Sequence, residues 1–139
     1  YATTALPSGR KYPNPLADTC SPAQGMDRKG PSSVIKSVAK LPLHRNAIGN
    51  SLNQRLSPQL VATDSDLDKF VAFIKSAEEM GLYHIQFNII SADLLRKAMK
   101  EPDKYRDLLV RVASYSAYFV ELSEACQLDI INRSEQTTW

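Results

Sequence analysis

RVASYSAYFVELSEACQLDIINR, residues 111–133, is the stretch on which the reading of this chain turns. A basic residue, Arg111, is followed by a small step at Ala113-Ser114, and that step runs straight into Tyr115, Tyr118 and Phe119. A loop is expected there, with a helix after Ser123 through EACQLDIINR that carries Arg133 near its C-terminal end.

Working outward, Pro102 opens a short expected helix, EPDKYRDLLV. Ser91 caps another, SADLLRKAMK, with Asp93 in the first turn, where the helix dipole favours an acid. YHIQFNII alternates His84, Gln86 and Asn88 against Ile85, Phe87 and Ile89, the period of a half-buried strand. Before it, Asp64 or Ser65 is the expected cap of a helix in which Leu67, Phe70, Val71, Ile74, Ala77 and Glu78 follow helical spacing. Gly81 is its stop, because glycine enters the left-handed region cheaply. A strand is expected near Asn50 to Leu56, and a helix over Pro31 to Lys40 with Val34, Ile35 and Val38 on one face. Six of the eight prolines and three of the five glycines lie within residues 1–42, so LPSGRKYPNPLADTCSPAQGMDRKGP reads as an extended arm. The order is arm, helix, strand, helix, strand, helix, helix, loop, helix. Two strands do not make a stable sheet by themselves, so this α+β chain is expected to need more structure around it.

The 139 residues fit one domain or a large piece of one, and 43% hydrophobic with 23% charged residues is ordinary for a soluble globular protein. A net charge of +2 points to neither nucleic acid nor a membrane surface. No apolar run approaches the roughly 18 to 20 residues of a membrane span, and no signal peptide is visible. The chain starts at Tyr1, which suggests a processed product or a piece of something longer. Cys20 and Cys126 fall in no metal, haem or CxxC spacing and are expected to be reduced thiols in a cytosol. His84 has no second ligand nearby and reads as structural rather than as a metal ligand. Gly25 and Gly30 do not link a strand to a helix as a dinucleotide fingerprint would. Asp27-Arg28-Lys29 reads as a solvated turn, and no spacing of serines and the two histidines suggests a hydrolytic triad.

The wording of five separated segments resembles the glycyl radical enzymes. The family carries an Arg-Val-small-Gly-Tyr core, then an aromatic, a Leu-Ser or Leu-Thr step, and a helix reading roughly Gln-x-Asp-Ile-Ile-x-Arg. The matching positions are Arg111, Val112, Ala113, Ser114, Tyr115, Phe119, Leu122, Ser123, Gln127, Asp129, Ile130, Ile131 and Arg133. HIQFNIIS resembles the family's late barrel strand, and EPDKYRDLLVRV its approach to the radical loop. GRKYPNPLAD, SPAQGMDRKGP and GNSLNQRLSP are similar to segments that precede the radical domain in its dehydratase and lyase branches.

The resemblance implies that this is an α+β piece of a ten-stranded α/β barrel. Two or so strands, several helices and a C-terminal radical loop would lie in it. Residues 1–60 would supply an arm, a helix and a barrel strand, and residues 61–139 the glycine radical domain. It implies no bound cofactor, but a backbone radical installed by an iron–sulfur activating enzyme that uses S-adenosylmethionine. Further partners would be the rest of the barrel, which carries a thiyl cysteine, and a small hydroxylated substrate; a homodimer is compatible with it. Arg111 would anchor the loop through carbonyls or an acid, with Val112, Ala113 and Tyr115 as loop support. Tyr115, Tyr118 and Phe119 would seal the loop by packing. The sequence departs from the family pattern at one place: Ser114 stands where the family has its radical glycine, and no glycine follows Gly81. Neither cysteine has the context of the thiyl residue, so neither is assigned to catalysis. The leading expectation is the C-terminal part of a lyase or dehydratase silenced at Ser114. The alternatives are a docking or spare-part radical domain that completes a larger partner, and an inactive relative kept for assembly.

Overall fold

The computed structural model describes residues 4–14, 16–45, 49–133 and 135–139; Tyr1 and the Pro15 of the arm motif lie outside the described residues. The elements in chain order are α1 (Pro31–Val38), β1 (Leu52–Leu56), α2 (Asp64–Glu79), β2 (Ile85–Ile89), α3 (Ala92–Lys100), β3 (Leu109–Arg111), β4 (Ser116–Tyr118), α4 (Glu124–Asn132) and β5 (Glu135–Gln136). Single 3₁₀ turns occupy Leu43–Arg45, Pro58–Val61, Pro102–Tyr105 and Phe119–Glu121. Among the described residues no helix is long and apolar enough to cross a membrane.

β1 and β2 pair in parallel, Leu52 opposite Ile85 through Leu56 opposite Ile89, with α2 as the crossover that a parallel pair requires. β5 joins the other edge of β1, giving the parallel order β2-β1-β5. Ahead of β5 the same edge is completed by the arm: Cys20 N–H donates to the Ser51 carbonyl (3.1 Å), and Ser21 Oγ accepts from Asn53 N–H (3.0 Å). The arm therefore closes a strand edge that would otherwise face water.

Side-chain alternation gives this sheet two unlike faces. Leu52, Leu56 and Phe87 point toward the apolar side, where Val34, Ile35 and Val38 of α1 and Phe73 and Ala77 of α2 form one core. Phe70 and Phe73 pack on Phe87 and Trp139, with ring centroids 5.0 to 6.2 Å apart. Asn53, Arg55, Gln86 and Asn88 occupy the opposite side, and that polar side receives the arm and the 111–133 segment. A second core joins Leu95 and Ala98 of α3, Val110, Val112 and Phe119 of the hairpin, and Ile130 and Ile131 of α4.

Four expectations need correction. The helix expected over residues 101–110 is a single 3₁₀ turn followed by β3, which pairs antiparallel with β4 in the register Leu109–Tyr118, Val110–Ala117, Arg111–Ser116. Val110 and Val112 are buried while Leu109 is exposed, a strand period in which β-branched residues fit the pleat. The supposed loop is thus the tip of a hairpin, and among the described residues five short strands replace the two expected. The cap of α2 is Thr63, not Asp64 or Ser65: its Oγ1 accepts from Asp66 N–H and its hydroxyl donates to Asp66 Oδ2 at 2.6 Å. α2 is also turned by roughly a quarter of its circumference from the expected face, burying Phe73 and Ala77 and leaving Leu67, Val71 and Ile74 at 42 to 48% exposure.

Gly81 ends α2 as expected. At φ +82° it sets Leu82 N–H on the Ala77 carbonyl (3.0 Å) and its own N–H on Glu78 (2.8 Å), the paired bonds of a Schellman end. Thr63→Ala removes a cap and is expected to cost about 1 kcal/mol. The readout is amide exchange at Asp66 and Leu67, which should quicken about fivefold; unchanged exchange there would show that the cap is idle.

Candidate functional site

Residues 112–115 turn between β3 and β4, closed by Val112 N–H donating to the Tyr115 carbonyl at 2.9 Å. A tight turn leaves carbonyls without ladder partners, and each needs a donor. Two arginines supply them. Arg111 folds back over the turn, its Nη2 donating to the Ser114 carbonyl at 2.8 Å and its Nε to the Ala113 carbonyl at 3.3 Å. Arg133, from the end of α4, donates through Nη1 to the Val112 carbonyl. All three carbonyls from Val112 to Ser114 are thus held by guanidinium groups, whose planar fork of donors suits adjacent acceptors.

The polar face of β2 fixes Arg111 in turn. Asn88 grips its backbone from both sides, Oδ1 accepting from Arg111 N–H and Nδ2 donating to the Arg111 carbonyl, both at 2.8 Å. Gln86 Oε1 accepts from Arg111 Nε. Arg111 Nη1 lies 3.4 Å from Ser116 Oγ across the hairpin. The partners of Arg111 are therefore carbonyl, amide and hydroxyl oxygens. A groove of about 640 Å³ opens beside the turn between β2 and the hairpin, with Gln86, Asn88, Arg111 and Ser116 in its wall.

Behind the turn, α4 is held at its carbonyl end by Arg55, which is 6% exposed and donates to Ile130 (2.8 Å), Ile131 (3.1 Å) and Arg133. A cation at that end complements the helix dipole. Burial lowers the Arg55 pKa, and the Glu135 carboxylate works against that shift. Gln127 Nε2 donates to the Phe119 carbonyl at 2.9 Å within the second core.

The site residues read from the sequence fall together in one place. Arg111, Val112, Ala113, Ser114 and Tyr115 form the turn and its brace. Ser114 is exposed, and among the described non-glycine residues only Thr19 has a positive φ. The turn therefore accepts serine without the strain that left-handed backbone would impose. Of the three aromatics, Phe119 is fully buried, whereas Tyr115 and Tyr118 stand at 54% and 46% exposure in this chain. The cysteines lie apart, Cys20 against the first core and Cys126 against the second. Burial, with Asp129 adding to it, pushes the Cys126 thiol up, which disfavours its thiolate.

Sequence reasoning gave no role in the site to Asn88, Gln86, Arg55 or Asp18, and placed Arg133 at a helix end and in the family motif without a partner on the turn. One signal was present. Parallel strands are ordinarily buried on both faces and read as continuous apolar runs, so Gln86 and Asn88 alternating through β2, and the polar Asn53, Gln54 and Arg55 inside β1, mark a face with polar business to do.

Comparison with known proteins bears on this geometry. A family model described as "Glycine radical" matches residues 16–120. The probable dehydratase YbiW of Escherichia coli K12 is 48% identical over 134 residues, covering 96% of this chain and 16% of its own. Isethionate sulfite-lyase of Bilophila wadsworthia is 42% identical over 133 residues, 94% of this chain and 16% of its own. Among solved structures, the glycerol-bound B12-independent glycerol dehydratase of Clostridium butyricum aligns with a TM-score of 0.93 at 41% identity, over 98% of this chain and 17% of its own. The chain spans about one sixth of the length of these relatives.

Proposed function

The chain belongs to the glycyl radical family, and we propose that it is the radical-domain part of a larger barrel enzyme of the dehydratase or lyase type, with Ser114 in the place of the radical glycine. One observation carries this reading: the turn Val112–Tyr115 has every carbonyl from Val112 to Ser114 held by an arginine, while the residue at its tip makes no demand on backbone conformation. Such a cradle presents and immobilises one backbone Cα. Rigid support of a reacting centre is what preorganisation requires.

The residue in the cradle does not fit the chemistry the cradle suits. A backbone radical is stabilised when its Cα is planar between amide nitrogen and carbonyl, and a Cβ crowds that plane. Ser114 carries one Cα hydrogen and a hydroxymethyl group where glycine offers two hydrogens. No radical step is therefore routed through Ser114, and the protein is read as silent in this form.

In this reading residues 1–60 give the arm and a barrel strand, and residues 61–139 the radical domain. The remaining strands of a ten-stranded barrel and the thiyl cysteine belong to polypeptide outside this chain. Large apolar side chains left in water support that expectation: Leu67, Val71 and Ile74 on α2, and Leu109, Tyr115 and Tyr118 on the hairpin. Isolated exposed leucines are ordinary, whereas contiguous rows of them mark a surface that something covers. An activating enzyme that uses S-adenosylmethionine would be the protein partner, and the cytoplasm the compartment. The reaction class is elimination from a small hydroxylated substrate. A probable dehydratase and a sulfite-lyase are 48% and 42% identical to this chain, which supports a leaving group chosen by residues elsewhere in the barrel.

The test is electron paramagnetic resonance on the full-length protein, treated without oxygen with a matching activating enzyme and S-adenosylmethionine. No glycyl-type doublet is expected. A clear doublet assigned to position 114 would overturn the reading of the serine.

A further inference from the structure

Val112 begins the turn, and its carbonyl is the one that Arg111 does not hold; Arg133 holds it from a different part of the fold. Arg133 is also tied elsewhere. Its Nη2 lies 3.0 Å from Asp129 Oδ2 within α4, and its Nη1 lies 3.8 Å from Asp18 Oδ2 in the arm. Asp18 in turn accepts from Asn53 Nδ2 on the polar face of β1. A second arm residue, Gln24, donates through Nε2 to the other carboxylate oxygen of Asp129. Two stitches from the arm thus converge on the Arg133–Asp129 pair, and that pair ends on the turn.

The three side chains are 16 to 28% exposed, so water screens them less than it screens surface pairs. A small pocket of about 60 Å³ lies beside them, lined by Asp18, Gln24, Asp129 and Arg133. The Arg133–Asp129 contact is a charge-assisted bond, stronger and more exacting in geometry than a neutral one, and Asp18 adds an ion pair to it at longer range.

We propose that Arg133 is a positioning residue that couples the arm to the turn, so that docking of Asp18 and Gln24 sets where the Val112–Ser114 backbone sits. Its consequence for chemistry rests on the reading of the turn as the family's radical loop. The arm would then be part of the site's support rather than a connector. A lysine cannot replace this arginine, because a point ammonium does not span a carbonyl and two carboxylates at once.

Hydrogen–deuterium exchange on the full-length protein tests the coupling, with Asp18→Asn, Arg133→Lys and the double variant. Each single variant is expected to raise exchange in peptides covering residues 112–118 about tenfold, and the double variant no further, because both changes cut one path. Peptides covering β1 should keep wild-type exchange, which separates the effect from general loosening. Wild-type exchange of 112–118 in Asp18→Asn, or full additivity in the double variant, overturns the proposal. Exchange needs no radical, so this outcome is independent of the spectroscopic test of position 114, and the two readings fail separately.

Discussion

Ser114→Gly in the full-length protein is expected to turn a silent sample into one with a doublet on anaerobic activation. The reason lies in what remains on the Cα. Removing one hydrogen from glycine leaves another, whose coupling splits the resonance in two. A radical at serine keeps no α-hydrogen, and its spectrum would show β-hydrogen coupling instead. The substitution also removes the Cβ that opposes planarity. The structural cost should be small. Ser114 lies at the exposed tip of a hairpin and avoids the left-handed region, so glycine mainly adds freedom to the unfolded chain. That freedom is worth about 0.4 to 1 kcal/mol, and the carbonyl braces from Arg111 and Arg133 stay in place. The contrast is diagnostic: a slight loss in denaturant midpoint accompanied by gain of a doublet. A Ser114→Gly protein that keeps its midpoint and its hairpin exchange but gives no doublet would remove position 114 from the mechanism.

Features that depend on near neighbours were legible before the structure. Ser91 caps α3, its Oγ accepting from Leu94 N–H, and Pro31 opens α1 because each acts within one turn. Gly81 stops α2 for the same reason. The alternation in β2 was equally clear, though its polar half faces the turn rather than water. Misread features depend on distant partners. DLLVR accepts a helical reading until β4 pairs with it, and β5 is two residues long, defined only by β1 some 80 positions earlier. The stripe on α2 is broad enough to bury either side, and the position of Phe87 decides for Phe73. The site followed the same rule. Arg111 and Ser114 stood in a local motif, whereas Asn88 is 23 residues from Arg111, and Arg55 is 75 from the helix end it caps.

Phe119→Ala is expected to cost about 3 to 5 kcal/mol, the largest stability effect of any single change in the hairpin. Phe119 has no exposure, sits among Val110, Val112, Leu95 and Ile130, and keeps its carbonyl on Gln127. Truncation leaves a cavity in the core that joins α3, α4 and the hairpin, so the loss should appear as a lower urea midpoint and faster exchange through β3 and β4. Tyr118 supplies the comparison. One residue earlier, it is 46% exposed here, and its packing has to come from outside this chain. If a barrel covers it, Tyr118→Ala should lose about 1 to 2 kcal/mol in the full-length protein, from burial of its remaining ring area. An effect within about 0.5 kcal/mol would leave that ring in water, as for an ordinary surface site. The sealing role read for the three aromatics would then belong to Phe119 alone. A Phe119→Ala protein with an unchanged midpoint would mean that the hairpin is held by its arginine braces rather than by its core. Such a turn could move without disturbing α3 or α4, whereas a large loss makes the hairpin and the two helices one cooperative unit.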